Sequence, residues 1–168
     1  MTLYIPAGIP SFKRDKHIVE AAHRLAMVKL ATEDLEHSFV SACEIERDGI
    51  TYTYDTFRML SQFMPNAKFM MALGSDAYAT LPIWYKAKEL AKLTGFVWVA
   101  RAYDDAEYAR RNVAESGINA RSIEVHTSLP DVSSTVIREC LASDHSVSKM
   151  LDPKVESYIK QHKLYTSL

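Results

Sequence analysis

The sequence predicts an α/β domain built on a doubly wound parallel sheet, and three observations predict it. Short apolar runs of strand length alternate along the chain with longer segments of helical periodicity. Two of those runs, residues 69–73 and 96–100, show no polar alternation, which suits strands buried on both faces of a parallel sheet. The first stops at Gly74-Ser75-Asp76. Beyond the carboxyl end of a parallel strand, a glycine admits a close approach and an aspartate accepts hydrogen bonds from sugar hydroxyls, so this is where a ligand crevice is expected. Any one Gly-Ser-Asp after a strand is more often a turn with a helix cap.

Composition narrows the function classes. A chain of 168 residues, 48% hydrophobic and 24% charged, suits one domain spanning residues 1–168 with a real core. Twenty basic against 21 acidic residues leave a net charge of -1, so no global field recruits nucleic acid and an anionic ligand must be held by local groups. Cys43 and Cys140 have neither metal-type nor redox-type spacing, and the six histidines form no zinc motif. The apolar runs are of strand length, too short to span a bilayer. A cytoplasmic protein acting on neither nucleic acid nor membrane is expected.

The elements follow in order. Leu3, Tyr4 and Ile5 read as a first strand, closed by Pro6-Ala7-Gly8-Ile9-Pro10. Lys13 and Arg14 lie just past it; a solvated loop is the ordinary explanation, and a phosphate contact through the Lys13 ammonium is the functional one. Residues 15–31 carry Ile18, Val19, Ala22, Leu25, Ala26 and Leu30 at helical spacing. Residues 39–45 read as the next strand, ending at an Asp48-Gly49 turn. Thr51-Tyr52-Thr53-Tyr54-Asp55-Thr56 clusters hydroxyls where a helix carried by Phe57, Leu60 and Met64 begins; such hydroxyls usually cap, and they also suit gripping a carboxylate.

After the Gly74-Ser75-Asp76 edge come a proline turn and two large aromatics, Trp84 and Tyr85, then a helix over residues 86–93. The strand at 96–100 precedes a charged helix at 104–116 with Gly117 as its C-cap, and residues 122–125 form a weaker strand. Val132-Ser133-Ser134-Thr135-Val136-Ile137-Arg138 opens a helix with three hydroxyls and an arginine one turn in, a pattern that suits an anion cradle, although plain capping is the commoner explanation of any Ser-Ser-Thr taken alone. Asp152-Pro153 starts the last helix, with Val155, Tyr158 and Ile159 facing inward.

Taken together and in order, these motifs resemble bacterial nicotinate-nucleotide adenylyltransferases, of the nucleotidyltransferase superfamily. The resemblance rests on Ile5-Pro6, Ile9-Pro10-Ser11-Phe12-Lys13, Thr51 to Thr56, Gly74-Ser75-Asp76, Leu81-Pro82-Ile83-Trp84-Tyr85, Val132 to Arg138, and the closing Tyr158-Ile159 and Leu164-Tyr165. It implies a Rossmann-like sheet of the nucleotidyltransferase type and transfer of AMP from ATP to nicotinate mononucleotide, giving deamido-NAD and pyrophosphate, with Mg²⁺ accompanying ATP. It further implies that Thr53 contacts the nicotinate carboxylate, that Trp84 and Tyr85 flank the pyridine ring, and that Gly74 and Asp76 line the nucleotide crevice. Ser133, Ser134, Thr135, Arg138 and Lys13 would hold phosphates.

Two departures stand against that pattern. The family has a histidine where this chain has Phe12, and it opens with a strand and a Gly-x-Phe-Asp-Pro-x-His-x-Gly-His loop, of which no His-x-Gly-His occurs in these residues. The chain therefore reads as truncated at its N-terminus, with the first, central strand missing and no catalytic residue assigned. A strand supplied by a partner, direct pairing of the flanking strands, and exposed sheet edges are all open. A non-catalytic nucleotide-binding module or inactive fragment is the alternative function. An enzyme taking the amide nucleotide or phosphopantetheine is a third, and a homo-oligomer is among the open assemblies.

Overall fold

The structure is a computed structural model that describes residues 1–10, 18–100, 103–127 and 132–166. In chain order the strands are β1 (Thr2–Tyr4), β2 (Ile9–Pro10), β3 (Ser38–Val40), β4 (Ile50–Thr51), β5 (Phe69–Gly74), β6 (Thr94–Val99) and β7 (Ser122–Val125). The helices are α1 (Ala21–Thr32), α2 (Thr53–Phe63), α3 (Ser75–Ala79), α4 (Ala87–Leu93), α5 (Tyr103–Glu115), α6 (Ser134–Ala142) and α7 (Pro153–Gln161), with a turn of 3₁₀ helix at Leu81–Ile83. Every strand pairing described is parallel. That is the expected α/β winding. The chain divides into two compact units, one of Met1–Thr51 with Pro130–Leu168 and one of Tyr52–Leu129.

In the first unit β1 pairs with β3, Leu3 opposite Phe39, and β2 pairs with β4, Ile9 opposite Ile50. Helix α1 begins at Ala21 among the described residues, later than its apolar stripe suggests, and both Ile18 and Ala22 are exposed. The third strand is also shorter than the apolar reading of residues 39–45. After Val40 the Glu46 amide bonds back to the Ala42 carbonyl at 2.9 Å, which curls the chain out of the sheet. Helix α7 has the predicted Asp152 cap, whose carboxylate accepts from the Lys154 amide at 2.8 Å, and buries Val155 and Ile159. Its Tyr158 hydroxyl meets His23 Nδ1 of α1 at 2.9 Å.

Arg24 of α1 sets the chain that follows β1. Its guanidinium donates to the carbonyls of Val19 and Gly8, each at 3.0 Å, and of Ala7. Charge-assisted bonds to backbone carbonyls are among the stronger hydrogen bonds available to a side chain. Gly8 completes the arrangement, because a Cβ there would overlap the Glu44 carbonyl oxygen and stand 2.7 Å from the Thr51 methyl. Gly8→Ala is expected to cost about 1–3 kcal/mol, since the obstacle is backbone and cannot rotate aside. Urea unfolding of the variant, with an unchanged slope and a lowered midpoint, checks it.

The second unit is built on the sheet β5-β6-β7. β6 is the central strand and is buried on both faces, as its apolar run requires. β5 is different. Its burial alternates, with Phe69, Met71 and Leu73 half-buried and Met70, Ala72 and Gly74 exposed. This corrects the reading of residues 69–73 as buried on both faces: β5 is an end strand whose Met71 and Leu73 pack on the core. An uninterrupted apolar run does not reveal that one face lacks a cover. Among the described residues β1 has β3 as its one strand neighbour and β5 has β6, so each keeps an edge without a described strand.

The core of this unit holds Tyr78, Leu81, Leu90, Phe96, Trp98 and Val113. Tyr78 of α3 stacks on Trp98 of β6, with centroids 5.0 Å apart and planes 10° from parallel. Asn112 of α5 donates to the Ala79 carbonyl at 2.6 Å and ties α5 to the end of α3. Arg121 reaches the Phe69 carbonyl at 3.1 Å and so fastens β5 at its start. No helix among the described residues is long and apolar enough to cross a membrane.

Candidate functional site

The sequence-predicted residues fall into three groups that the fold positions by different means. Gly74 ends β5 and is the N-cap of α3, with Asp76 in the helix's first turn. Ser75 is buried and Asp76 exposed, so the carboxylate is presented beyond the carboxyl end of a parallel strand. The carboxylate folds back over the glycine: a Cβ on Gly74 would lie 2.5 Å from Asp76 Oδ1. The backbone there is extended (φ -77, ψ 161), so the missing side chain, and not an unusual dihedral, is what this position uses. Gly74→Ala is expected to displace the Asp76 carboxylate while shifting stability by no more than about 0.5 kcal/mol, because only a rotatable side chain must yield. A raised KM for nucleotide with an unchanged unfolding midpoint is the expected readout.

The second group gathers around α2. Thr53 opens the helix after Tyr52, whose carbonyl accepts from the Asp55 amide at 3.0 Å and the Thr56 amide at 3.3 Å. The amides of Thr53 and Tyr54, which precede any intrahelical acceptor, point out of the helix start. Tyr52 meets Tyr85 with ring centroids 4.4 Å apart, and Tyr54 meets Tyr85 edge-on at 6.1 Å. Tyr85 is 45% exposed, so this aromatic cluster is open to a ligand. Trp84 sits differently from its neighbour: its indole packs against the core, and its N–H donates to Thr80 Oγ1 at 3.1 Å. The fold therefore joins Tyr85 to Tyr52 and Tyr54, and gives Trp84 the role of anchoring the loop that presents Tyr85.

Lys86 belongs with this cluster and carries no sequence motif. Its ammonium lies 4.8 Å from the Tyr54 ring centroid and 5.2 Å from that of Tyr85. A lysine following Trp84-Tyr85 is visible in the sequence, but nothing there shows that the chain turns left-handed at this residue, with φ 52.

The third group opens α6. Ser133 is the N-cap, its hydroxyl accepting from the Thr135 amide at 3.2 Å, while Ser134 and Thr135 are exposed. Arg138 Nη2 donates to Thr135 Oγ1 at 3.4 Å, so the guanidinium is held at the same helix start. Tyr165 lies nearby: burial pushes its phenol up, and the charges of Arg138 and Arg24 pull it the other way. Ser133 thus performs ordinary capping and still leaves two hydroxyls and a cation facing outward. Lys13 lies outside the described residues, and so does Phe12.

Comparison with known proteins bears on what such groups serve. The cytidylyltransferase-like family model matches residues 2–140. A probable nicotinate-nucleotide adenylyltransferase from Synechococcus sp. (strain JA-2-3B'a(2-13)) is 39% identical over 165 residues, covering 97% of this chain and 81% of the relative. One from Streptococcus pyogenes serotype M3 is 35% identical over 163 residues, covering 97% and 73%. In fold, the chain is similar to Plasmodium falciparum nicotinic acid mononucleotide adenylyltransferase complexed with NaAD. That likeness has a TM-score of 0.76 at 18% identity over 98% of this chain and 82% of that one. The chain belongs to the cytidylyltransferase-like family and, within it, to the nicotinate-nucleotide adenylyltransferases.

Proposed function

We propose that the chain transfers AMP from ATP to nicotinate mononucleotide, with deamido-NAD and pyrophosphate as products. A phosphate oxygen of the mononucleotide attacks the α-phosphorus of ATP. The new phosphoanhydride bond forms as the bond between the α- and β-phosphates breaks, and the electron pair leaves with pyrophosphate. Such a transfer needs positioning and charge neutralisation more than a protein nucleophile. Ser134, Thr135, Arg138 and Lys13 are the groups for the phosphates, with Mg²⁺ entering as part of the ATP substrate. Asp76 accepts from a ribose, Gly74 gives it room, and Thr53 with Tyr85 receives the pyridine ring and its carboxylate, Trp84 holding the loop that carries Tyr85.

The observation that carries this reading is the opening of α6, where the cap is satisfied by Ser133 alone and the Ser134 and Thr135 hydroxyls stay exposed beside Arg138. A second reading is a module that binds nucleotide without turnover. Pyrophosphate release by the purified chain with ATP, Mg²⁺ and nicotinate mononucleotide separates the two. Release that depends on both nucleotides is the expected result. A folded chain that binds nicotinate mononucleotide but releases none would sink the catalytic reading and leave the module.

A further inference from the structure

We propose that Tyr165, in the turn that follows α7, is a positioning residue that sets the Arg138 guanidinium at the start of α6, an inference that rests on the function proposed above. Arg138 needs such a partner. Its bond to Thr135 Oγ1 is long at 3.4 Å and exposed, so it ties one nitrogen and leaves the planar group free to turn about it. Tyr165 is half-buried, and the charges of Arg138 and Arg24 both bear on its phenol. The second of these arginines cannot move aside, because the carbonyls of Ala7, Gly8 and Val19 hold it. A fixed cation and an adjustable one thus act on the same phenol, whose oxygen can accept a hydrogen bond from the adjustable one. The backbone shows that this placement is imposed. Tyr165 is left-handed at φ 62 and Lys163 at φ 51, a conformation that is costly for a bulky side chain and persists only where the surroundings enforce it. The Leu164 amide donates to the carbonyl of buried Ile159 at 3.0 Å, turning the chain back over the end of α7, and Thr166 Oγ1 donates to the Lys163 carbonyl at 3.1 Å.

A phenol suits this task better than a charged partner would. A carboxylate in the same place would grip the guanidinium more strongly, but it would also cancel the charge that a phosphate has to meet. Burial pushes the Tyr165 phenol up, which keeps it neutral. A neutral acceptor orients Arg138 and leaves its full charge for the phosphates. The guanidinium carries five N–H donors, enough to reach Thr135, the phenol and a phosphate together. Ordered before the nucleotide arrives, it also loses less freedom on binding. Tyr165 touches no reacting atom in this scheme and acts through Arg138 alone.

The test is steady-state pyrophosphate formation by the purified full chain, for the wild type, Tyr165→Phe, Arg138→Met and the double variant, with a urea unfolding curve for each. Y165F keeps the ring and removes only the hydroxyl, so its unfolding midpoint is expected to stay close to that of the wild type. Its kcat/KM for ATP is expected to fall about threefold to tenfold, the size of one hydrogen bond, and mainly through kcat, as for loss of the arginine itself. In the Arg138→Met background the same change is expected to be silent, because the group it positions is gone, whereas a merely structural role would cost the same with or without Arg138. Full activity in Y165F, or an equal loss in both backgrounds, overturns the inference while leaving the proposed function standing. A wild type that releases no pyrophosphate removes the proposed function and the inference with it.

Discussion

Arg138→Met is expected to lower kcat/KM for pyrophosphate formation about 10²-fold, the loss seen when one positioned group that stabilises developing charge is removed from a transfer site. The guanidinium is fixed by its bond to Thr135 Oγ1 at 3.4 Å, one turn inside the helix whose N-terminus already favours anions. Charge grows on the leaving phosphates as the bond breaks, so an arginine held here acts more strongly in the transition state than in the bound ground state. The loss should therefore fall mainly on kcat, with KM for ATP rising less. Lysine is expected to restore little, because it lacks the planar fork needed to meet Thr135 and a phosphate together. Steady-state kinetics at saturating nicotinate mononucleotide, beside an unfolding curve that matches the wild type, checks both points. A fall confined to KM would make Arg138 a contributor to binding alone.

Trp98→Ala is expected to destabilise the protein by about 3–5 kcal/mol, the range for removing a large aromatic from a closed core. Trp98 is 1% exposed and stacked on Tyr78, so its loss empties the space between β6 and α3. Trp98→Phe should behave quite differently. The indole N–H is buried and has no hydrogen-bond partner among the described residues, and a donor in that condition costs about 1–3 kcal/mol. Phenylalanine keeps a ring against Tyr78 and removes the orphaned donor, so part of the lost packing is offset. Urea midpoints in the order wild type, W98F, W98A, with W98F much the nearer to wild type, are the expected pattern. A W98F variant as unstable as W98A would show that the N–H is satisfied after all.

These two positions also show how far sequence reasoning reaches. The hydroxyls and arginine opening α6 were legible because helix capping and anion binding draw on the same few residue types at fixed spacing, and the structure has Ser133 as the cap. The same holds for Asp152 before Pro153, for Gly117 at φ 69, and for β7 at Ser122–Val125. Local rules decide these, and local rules are written in neighbouring residues.

Misreadings fell where burial is set by distant parts of the chain. β5 and β6 carry similar apolar runs, yet β6 is central and buried on both faces while β5 alternates. Periodicity cannot separate them, because the difference lies in how many neighbours each strand acquires. β2 and β4, of two residues each, carry too little pattern to be read, and they pair only because the chain is brought together at Gly8 and Thr51.

The longer strands and helices and the caps at Ser133 and Asp152 follow from residue types and their spacing, since each depends on contacts within about one turn or one strand. Long-range packing settled the rest: that Tyr85 joins Tyr52 and Tyr54, that Arg24 grips the backbone after β1, and that Lys86 stands over two rings. Those contacts join residues whose spacing carries no signal, and only the folded chain, by choosing which surfaces to bury together, brings them within reach.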